Sequence, residues 1–186
     1  MRAFWSRLLP RRQRIIPFWI IAGVAIAGPW VIAEDGRLGA WWRDLTSGPP
    51  QSCTVSSVTD GDTIRAKCAG EGTKIRLHCI DTPEMGQRPW GRESRDALRA
   101  LLPPRIGLRQ VDTDRYGRIV GIVVDPADDT EINLEMVAQG QAAVYPKYCR
   151  DQRYYAAQDQ AQAAGRGIWS RPGDHQRPWE WRRARR

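Results

Sequence analysis

Cys53-Thr54-Val55-Ser56-Ser57-Val58-Thr59-Asp60-Gly61-Asp62-Thr63-Ile64-Arg65-Ala66-Lys67-Cys68 reads as two short strands, residues 53–59 and 63–68, folded about an Asp-Gly turn. If Asp60-Gly61 is a two-residue hairpin turn, residues whose numbers sum to 121 face each other, and Cys53 faces Cys68. Opposed Cβ atoms in an antiparallel pair lie near the separation a disulfide needs. Cys79 and Cys149 then remain, either bridged to each other or as two buried thiols.

Outward from this hairpin, residues 69–72 form a second turn and residues 74–80 a third strand. A helix is expected over residues 92–102, with Ala97, Leu98, Leu101 and Leu102 at helical spacing and Pro103-Pro104 ending it. Strands over 106–111 and 118–124 come next. A short helix over 132–139 stops at Gly140, and a last helix over 151–164 stops at Gly165. Five short strands with helices after the third and fifth suit a small closed sheet. The expected fold class is α+β, mainly β with helices, and a five-stranded barrel of the oligonucleotide-binding (OB) kind is the natural candidate, although the order of elements alone leaves other small barrels open.

The chain has 186 residues and a net charge of +8. That charge is not spread evenly. Residues 1–33 hold five arginines and no acid, and residues 171–186 hold six arginines against Asp174 and Glu180. The stretch between them is close to neutral, so composition does not make the core a polyanion binder. Phosphate affinity there has to come from placed arginines and a bound cation.

Arg2, Arg7, Arg11, Arg12 and Arg14 precede the uncharged run 15–33, which ends at Glu34 and Asp35. At about 1.5 Å per residue the run just crosses a hydrocarbon core of about 30 Å. Arginines before it predict an inside amino terminus and an exported remainder. The segment is a single-pass membrane anchor or, read through Ala25-Ile26-Ala27, a cleaved signal that yields a secreted protein. Residues 34–51, with Gly36, Gly39, Gly48, Pro49 and Pro50, are a spacer. The folded domain is expected over 52–170. The tail 171–186, where Trp179 and Trp181 lie among arginines, has three readings: a substrate-holding arm, a lipid-surface contact, or a solvated end.

Chemistry concentrates at three loop positions. Asp81-Thr82-Pro83-Glu84 follows the third strand, which carries Arg76; Asp60-Gly61-Asp62-Thr63 lies upstream and Asp114-Arg115-Tyr116-Gly117-Arg118 downstream. Asp-Gly is foremost a turn, and Asp-Thr-Pro reads equally as a capped helix or turn start and as a ligand segment. Together, however, they supply hard oxygen ligands in the carboxylates of Asp62 and Asp81 and the carbonyl of Thr82. Glu84 is one turn further on and directed at a water. Calcium accepts such an oxygen shell more readily than zinc. Only two histidines, His78 and His175, are present, which excludes a histidine-rich metal site. Arg76 and Arg118 are candidate phosphate clamps, because a guanidinium donates paired hydrogen bonds to phosphoryl oxygens and stays charged. Tyr116 is placed to stack on a base or bond a phosphate.

These pieces, with Ile75-Arg76-Leu77, Asn133, Gln139-Gly140 and Gly167-Ile168-Trp169-Ser170, resemble the staphylococcal-nuclease-like (thermonuclease) family in their order, over about residues 52–170. The resemblance implies the five-stranded barrel, calcium dependence and hydrolysis of DNA and RNA by water attacking phosphorus. It implies Asp62 and Asp81 as calcium carboxylates with the Thr82 carbonyl, and Glu84 as the residue that orients or deprotonates the water. Arg76 and Arg118 would bind the scissile phosphate and Tyr116 the nucleotide. The segment 85–91 is shorter than the family's loop, and Arg88 and Trp90 replace its lysine-rich stretch. A second nucleotide-contacting tyrosine is either Tyr145 or Tyr148. No protein partner is implied, and a monomer is expected. The rival readings are a non-catalytic OB-fold module that binds single-stranded nucleic acid at the membrane, and a membrane-anchored interaction protein.

Overall fold

A computed structural model of the chain describes residues 49–185. The expected anchor or signal segment, and the spacer up to residue 48, lie outside the described residues. Among the described residues no helix is long and apolar enough to cross a membrane.

Five strands close into a barrel: β1 (Gln51–Val58), β2 (Thr63–Cys68), β3 (Glu71–Leu77), β5 (Arg105–Thr113) and β6 (Ile119–Val124), in the order β1-β2-β3-β6-β5. Among the described residues only the β3–β6 pair is parallel. Two short strands, β4 (Ile80–Asp81) and β7 (Ala143–Val144), form a separate antiparallel pair. Among the described residues four α-helices accompany the strands: α1 (Trp90–Leu101), α2 (Ile132–Ala138), α3 (Gln152–Ala163) and α4 (Pro178–Ala184).

The barrel strands alternate as a half-buried strand must. In β2, Ile64, Ala66 and Cys68 are buried while Arg65 and Lys67 are exposed, and in β3 Ile75 and Leu77 are buried on either side of Arg76. With Ile106, Leu108 and Val123 these side chains fill the interior, while Leu98 from α1, Ile132 and Met136 from α2 and Tyr154 from α3 extend the core beyond the strands. Each of the valine, leucine, isoleucine and methionine side chains among them contributes about 1.5–3 kcal/mol by leaving water.

Cys53 and Cys68 are register partners and are bridged, with Cα atoms 4.3 Å apart. The expected pairing holds at that point, but not by the expected turn. Nearer the loop Val58 pairs with Ile64, and a bulge between Val55 and Ser57 shifts the ladder by one residue. The connection is longer than two residues, and the bulge restores the register at the cysteines. The true two-residue turn is Ala69-Gly70, with φ of 51° and 88° and Cys68 paired to Glu71.

The third strand is also displaced from its expected span. It starts at Glu71 and ends at Leu77 rather than running on to residue 80. Cys79 adopts φ +70°, which turns the chain out of the ladder, and Ile80 and Asp81 then pair with Val144 and Ala143 instead. The Cys79–Cys149 disulfide, with Cα atoms 4.4 Å apart, and the hydrogen bond from Tyr145 N to the Cys79 carbonyl, 2.8 Å, fasten this corner to the late part of the domain. Buried Asn133 at the start of α2 adds a third tie. Its Oδ1 accepts from Val123 N, and its Nδ2 donates to the carbonyls of His78 and Gly121, each at 3.0 Å.

Candidate active site

The site lies where the β1–β2 loop, the end of β3 and the segment after β4 meet. Arg76 alternates with Ile75 and Leu77 and so leaves the barrel interior. Its ladder partner is Thr63, the neighbour of Asp62, so one strand register brings a guanidinium to the first carboxylate. Arg76 Nη1 donates to Asp62 Oδ1 at 2.8 Å, and Nη2 donates to Asp81 Oδ1 at 2.6 Å. Both carboxylates are buried, as is Thr82.

The loop is pressed onto the segment after β4. A Cβ built on Gly61 would stand 2.7 Å from both Thr82 Oγ1 and Ser94 Cβ of α1. Gly61 does not adopt a left-handed φ; its lack of a side chain serves close approach, not the turn that the sequence suggests. Glu84 is held by its backbone: Glu84 N donates to Gln87 Oε1 at 2.9 Å, and Gln87 N returns a bond to the Glu84 carbonyl at 2.8 Å. Gly91 of α1 crosses this turn so closely that a Cβ there would meet the Glu84 carbonyl oxygen at 2.1 Å.

A second guanidinium enters from the C-terminal segment. Arg182 of α4 donates through Nη2 to Asp81 Oδ2 at 2.7 Å and through Nη1 to Glu84 Oε1 at 2.6 Å. Asp62, Asp81 and Glu84 are thereby joined in one chain of ion pairs with Arg76 and Arg182. Asp60 stands at its margin, with its Oδ1 accepting from Asp62 N at 3.1 Å.

The electrostatics are crowded with negative charge. Burial and the charge of Asp62 push the Asp60 carboxyl up to about 6. Burial and Asp62 likewise raise Asp81 to about 6, against the pull of Arg76 and Arg182. Burial disfavours the Arg76 charge, but Asp62 and Asp81 outweigh it and hold the group above its ordinary range.

Four carboxyls thus face two guanidiniums, and every donor is a hard oxygen. That chemistry fits a calcium ion and not a zinc ion. As they stand, among the described residues no three acidic, histidine or cysteine side chains meet as a metal cage, and the cation between Asp62 and Asp81 is the Arg76 guanidinium.

Of the other predicted residues, Arg118 and Tyr116 form a neighbouring group. Arg76 pairs with Val120 across the parallel ladder, so Arg118, two residues earlier, is on the Arg76 side. Its guanidinium is bound to Asp114, Nε to Oδ2 at 2.7 Å and Nη2 to Oδ2 at 2.6 Å. Among the described residues no hydrogen bond or ion pair joins it to Asp62, Asp81 or Glu84. Tyr116 is 67% exposed, with the Arg118 guanidinium 5.7 Å from its ring centre. Tyr145 stacks on Trp179 with ring centres 5.3 Å apart and meets Tyr148 edge-on at 4.9 Å.

Three residues of this region escape the sequence reading. Asp60 was legible only as a turn residue, although its spacing of two from Asp62 is a signal. Gln87 carries no signal. Arg182 is one of six arginines in the tail, and nothing in its spacing separates it from the others.

A sequence profile described as staphylococcal nuclease homologue matches residues 74–171 of this chain. Asp60 and Asp62 precede that match and Arg182 follows it, so their place in the site rests on geometry. An uncharacterized endonuclease of Haemophilus influenzae is 37% identical over 134 residues, covering 71% of this chain and 73% of that protein. An uncharacterized endonuclease of Escherichia coli is 39% identical over 129 residues, covering 69% and 82%. The micrococcal nuclease of Shigella flexneri is 35% identical over 140 residues, covering 70% and 79%.

Proposed function

This chain belongs to the staphylococcal nuclease homologue family and is a nuclease, and from that premise we propose that it is calcium-dependent, hydrolyses phosphodiester bonds of DNA and RNA with little sequence preference, and works on the exported side of a membrane. The observation that carries the reading is the convergence of Asp62, Asp81 and Glu84 on Arg76 and Arg182 in one buried-to-exposed line.

Asp62, Asp81 and the Thr82 carbonyl would hold calcium, which when bound supplies positive charge beside the phosphoryl oxygens. The chain's own residues do the rest. Arg76 and Arg118 donate paired hydrogen bonds to the scissile phosphate and stabilise the charge that grows on it in the transition state. Glu84 is partly exposed and receives the proton of the attacking water. Tyr116, exposed beside Arg118, meets the nucleotide. These contacts grip the backbone rather than base edges, which is why little sequence preference is expected.

Export is supported by the two disulfides, which persist in oxidising compartments, and tethering by the apolar run 15–33. Cell fractionation tests it: a tethered protein stays with membranes after a carbonate wash, and a cleaved one is released.

The central test incubates the protein with DNA and with RNA, with calcium or with chelator, and repeats both with Arg76→Ala and Glu84→Gln. Cleavage by the parent protein that needs calcium and is lost in both variants supports the reading. Binding without cleavage assigns the barrel to single-stranded nucleic-acid binding instead, and the absence of both rejects a phosphate site.

A further inference from the structure

Arg182 lies beyond the matched segment, in a tail whose composition leaves a substrate-holding arm, a lipid-surface contact and a solvated end all open. The structure gives it a different setting. It mirrors Arg76: Arg76 holds Asp81 by Oδ1 and Arg182 holds it by Oδ2, while the other arm of the Arg182 fork reaches Glu84.

The segment that delivers Arg182 is anchored. His175 is buried and stacked on Trp90 with ring centres 4.2 Å apart. Its Nε2 lies 2.9 Å from the Ile168 carbonyl oxygen, which also accepts from Gln176 Nε2 at 3.1 Å. Pro178 at the start of α4 is buried, and Trp179 is stacked on Tyr145. Trp90 opens α1 directly after the Glu84–Gln87 turn, so the tail grips the same stretch of chain that carries Glu84.

The ion pair uses only one oxygen of Glu84. Oε1 is on Arg182, and among the described residues Oε2 has no protein partner. A glutamate that is 38% exposed has several rotamers open to it, and fixing one oxygen selects those that aim the other at the site.

We propose that Arg182 is a positioning residue of the nuclease site, which orients the Glu84 carboxylate towards the attacking water and makes the C-terminal segment part of the catalytic unit. The inference rests on the nuclease reading. A lysine, with one point charge in place of a planar fork, does not span both carboxylates in the same way.

The test uses the full chain with Arg182→Gln, Arg182→Ala, Glu84→Gln and the Arg182→Gln/Glu84→Gln double variant. Arg182→Gln is expected to lower kcat roughly 10- to 100-fold with KM little changed, the range for losing a partner that orients a site carboxylate. The double variant cuts no more slowly than Glu84→Gln alone, because Arg182 has nothing left to orient. Guanidinium ion at millimolar concentration restores part of the kcat of Arg182→Ala and leaves the parent unchanged. In chelator, the urea midpoints of the parent, Arg182→Gln, Glu84→Gln and the double variant are non-additive, which reads the pair without turnover.

Additive losses in the double variant overturn the proposal, as does a structural destabilisation without guanidinium rescue. An unchanged kcat does so too, and a raised kcat shows instead that the tail plugs the site. If the parent protein cuts nothing with calcium, the nuclease reading itself fails, which is a separate result.

Discussion

Gly61 and Thr82 approach so closely that a methyl group on the Gly61 Cα would stand 2.7 Å from the Thr82 hydroxyl oxygen. Through this contact the loop carrying Asp60 and Asp62 is seated against the segment carrying Asp81 and Glu84. The spacing of the acids is set by packing as well as by charge.

Gly61→Ala forces that contact apart. Its other close neighbour, Ser94 Cβ, belongs to α1 and has little room to retreat, since Ser94 is buried and its hydroxyl donates to the Gln141 carbonyl at 2.6 Å. A stability loss of about 1–3 kcal/mol is expected from overpacking, measured by urea denaturation, together with a fall in kcat as Asp62 moves away from Asp81. Full activity in a destabilised variant would show that the seating of the loop does not matter for catalysis.

Arg76→Ala strands two buried carboxylates. Removing one partner of a buried ion pair costs about 3–5 kcal/mol, so the thermal midpoint in chelator should drop sharply. Calcium is expected to recover part of that loss, more than it adds to the parent, because it restores a cation between Asp62 and Asp81. Hydrolysis should fall roughly 10²- to 10³-fold even with saturating calcium. A midpoint that ignores calcium would remove Asp62 and Asp81 as ligands.

Arg118→Ala separates stability from activity. The Arg118–Asp114 pair sits at a partly exposed turn, where an ion pair is worth about 0–1 kcal/mol, so the denaturation midpoint should barely move. The kcat should fall roughly 10²- to 10³-fold if Arg118 leaves Asp114 for the substrate. Near-parent turnover would leave Arg76 as the phosphate clamp without Arg118.

The two disulfides should differ in worth. Chain-entropy reasoning gives about 4 kcal/mol for a loop as long as that closed by Cys79–Cys149 and about 3 kcal/mol for the Cys53–Cys68 loop, their sequence separations being 70 and 15. Replacing Cys79 and Cys149 by serine should therefore lower the melting midpoint further, and it should also lower kcat, because Cys79 immediately precedes β4 and Asp81. The Cys53 and Cys68 double replacement should spare kcat in the fraction that remains folded.

The barrel strands were legible because their signals are local, whereas the closure of the barrel through β3 with β6 and β1 with β5 joins segments far apart in the chain, and the order of elements left other small barrels open. Alternation in β2 and β3, turn residues between them, and Pro103-Pro104 after α1 each act within a few residues. The displaced boundaries share a cause in tertiary structure. The third strand ends early because Cys79 turns out to meet Cys149 and because Ile80 and Asp81 find β7, a partner more than sixty residues away. The bulge in β1 left no mark in the residue pattern, since the two-residue turn and the longer loop with a bulge place the cysteines identically.

The acids and arginines of the site were legible as types, because a metal and a phosphate demand hard oxygens and guanidiniums. By itself, the sequence determined the order of the five barrel strands and the first three helices, the facing of Cys53 and Cys68, and the identity of Asp62, Asp81, Glu84, Arg76 and Arg118 as chemically apt groups, but not the β4–β7 pair or α4. Only the tertiary structure decided that Asp62 and Asp81 share one guanidinium, that Arg118 rests on Asp114, and that Arg182 reaches Glu84 from 98 residues away. Local patterns record the conformational preference of a segment, whereas an ion pair between distant segments depends on which surfaces pack together, and no short-range pattern carries that.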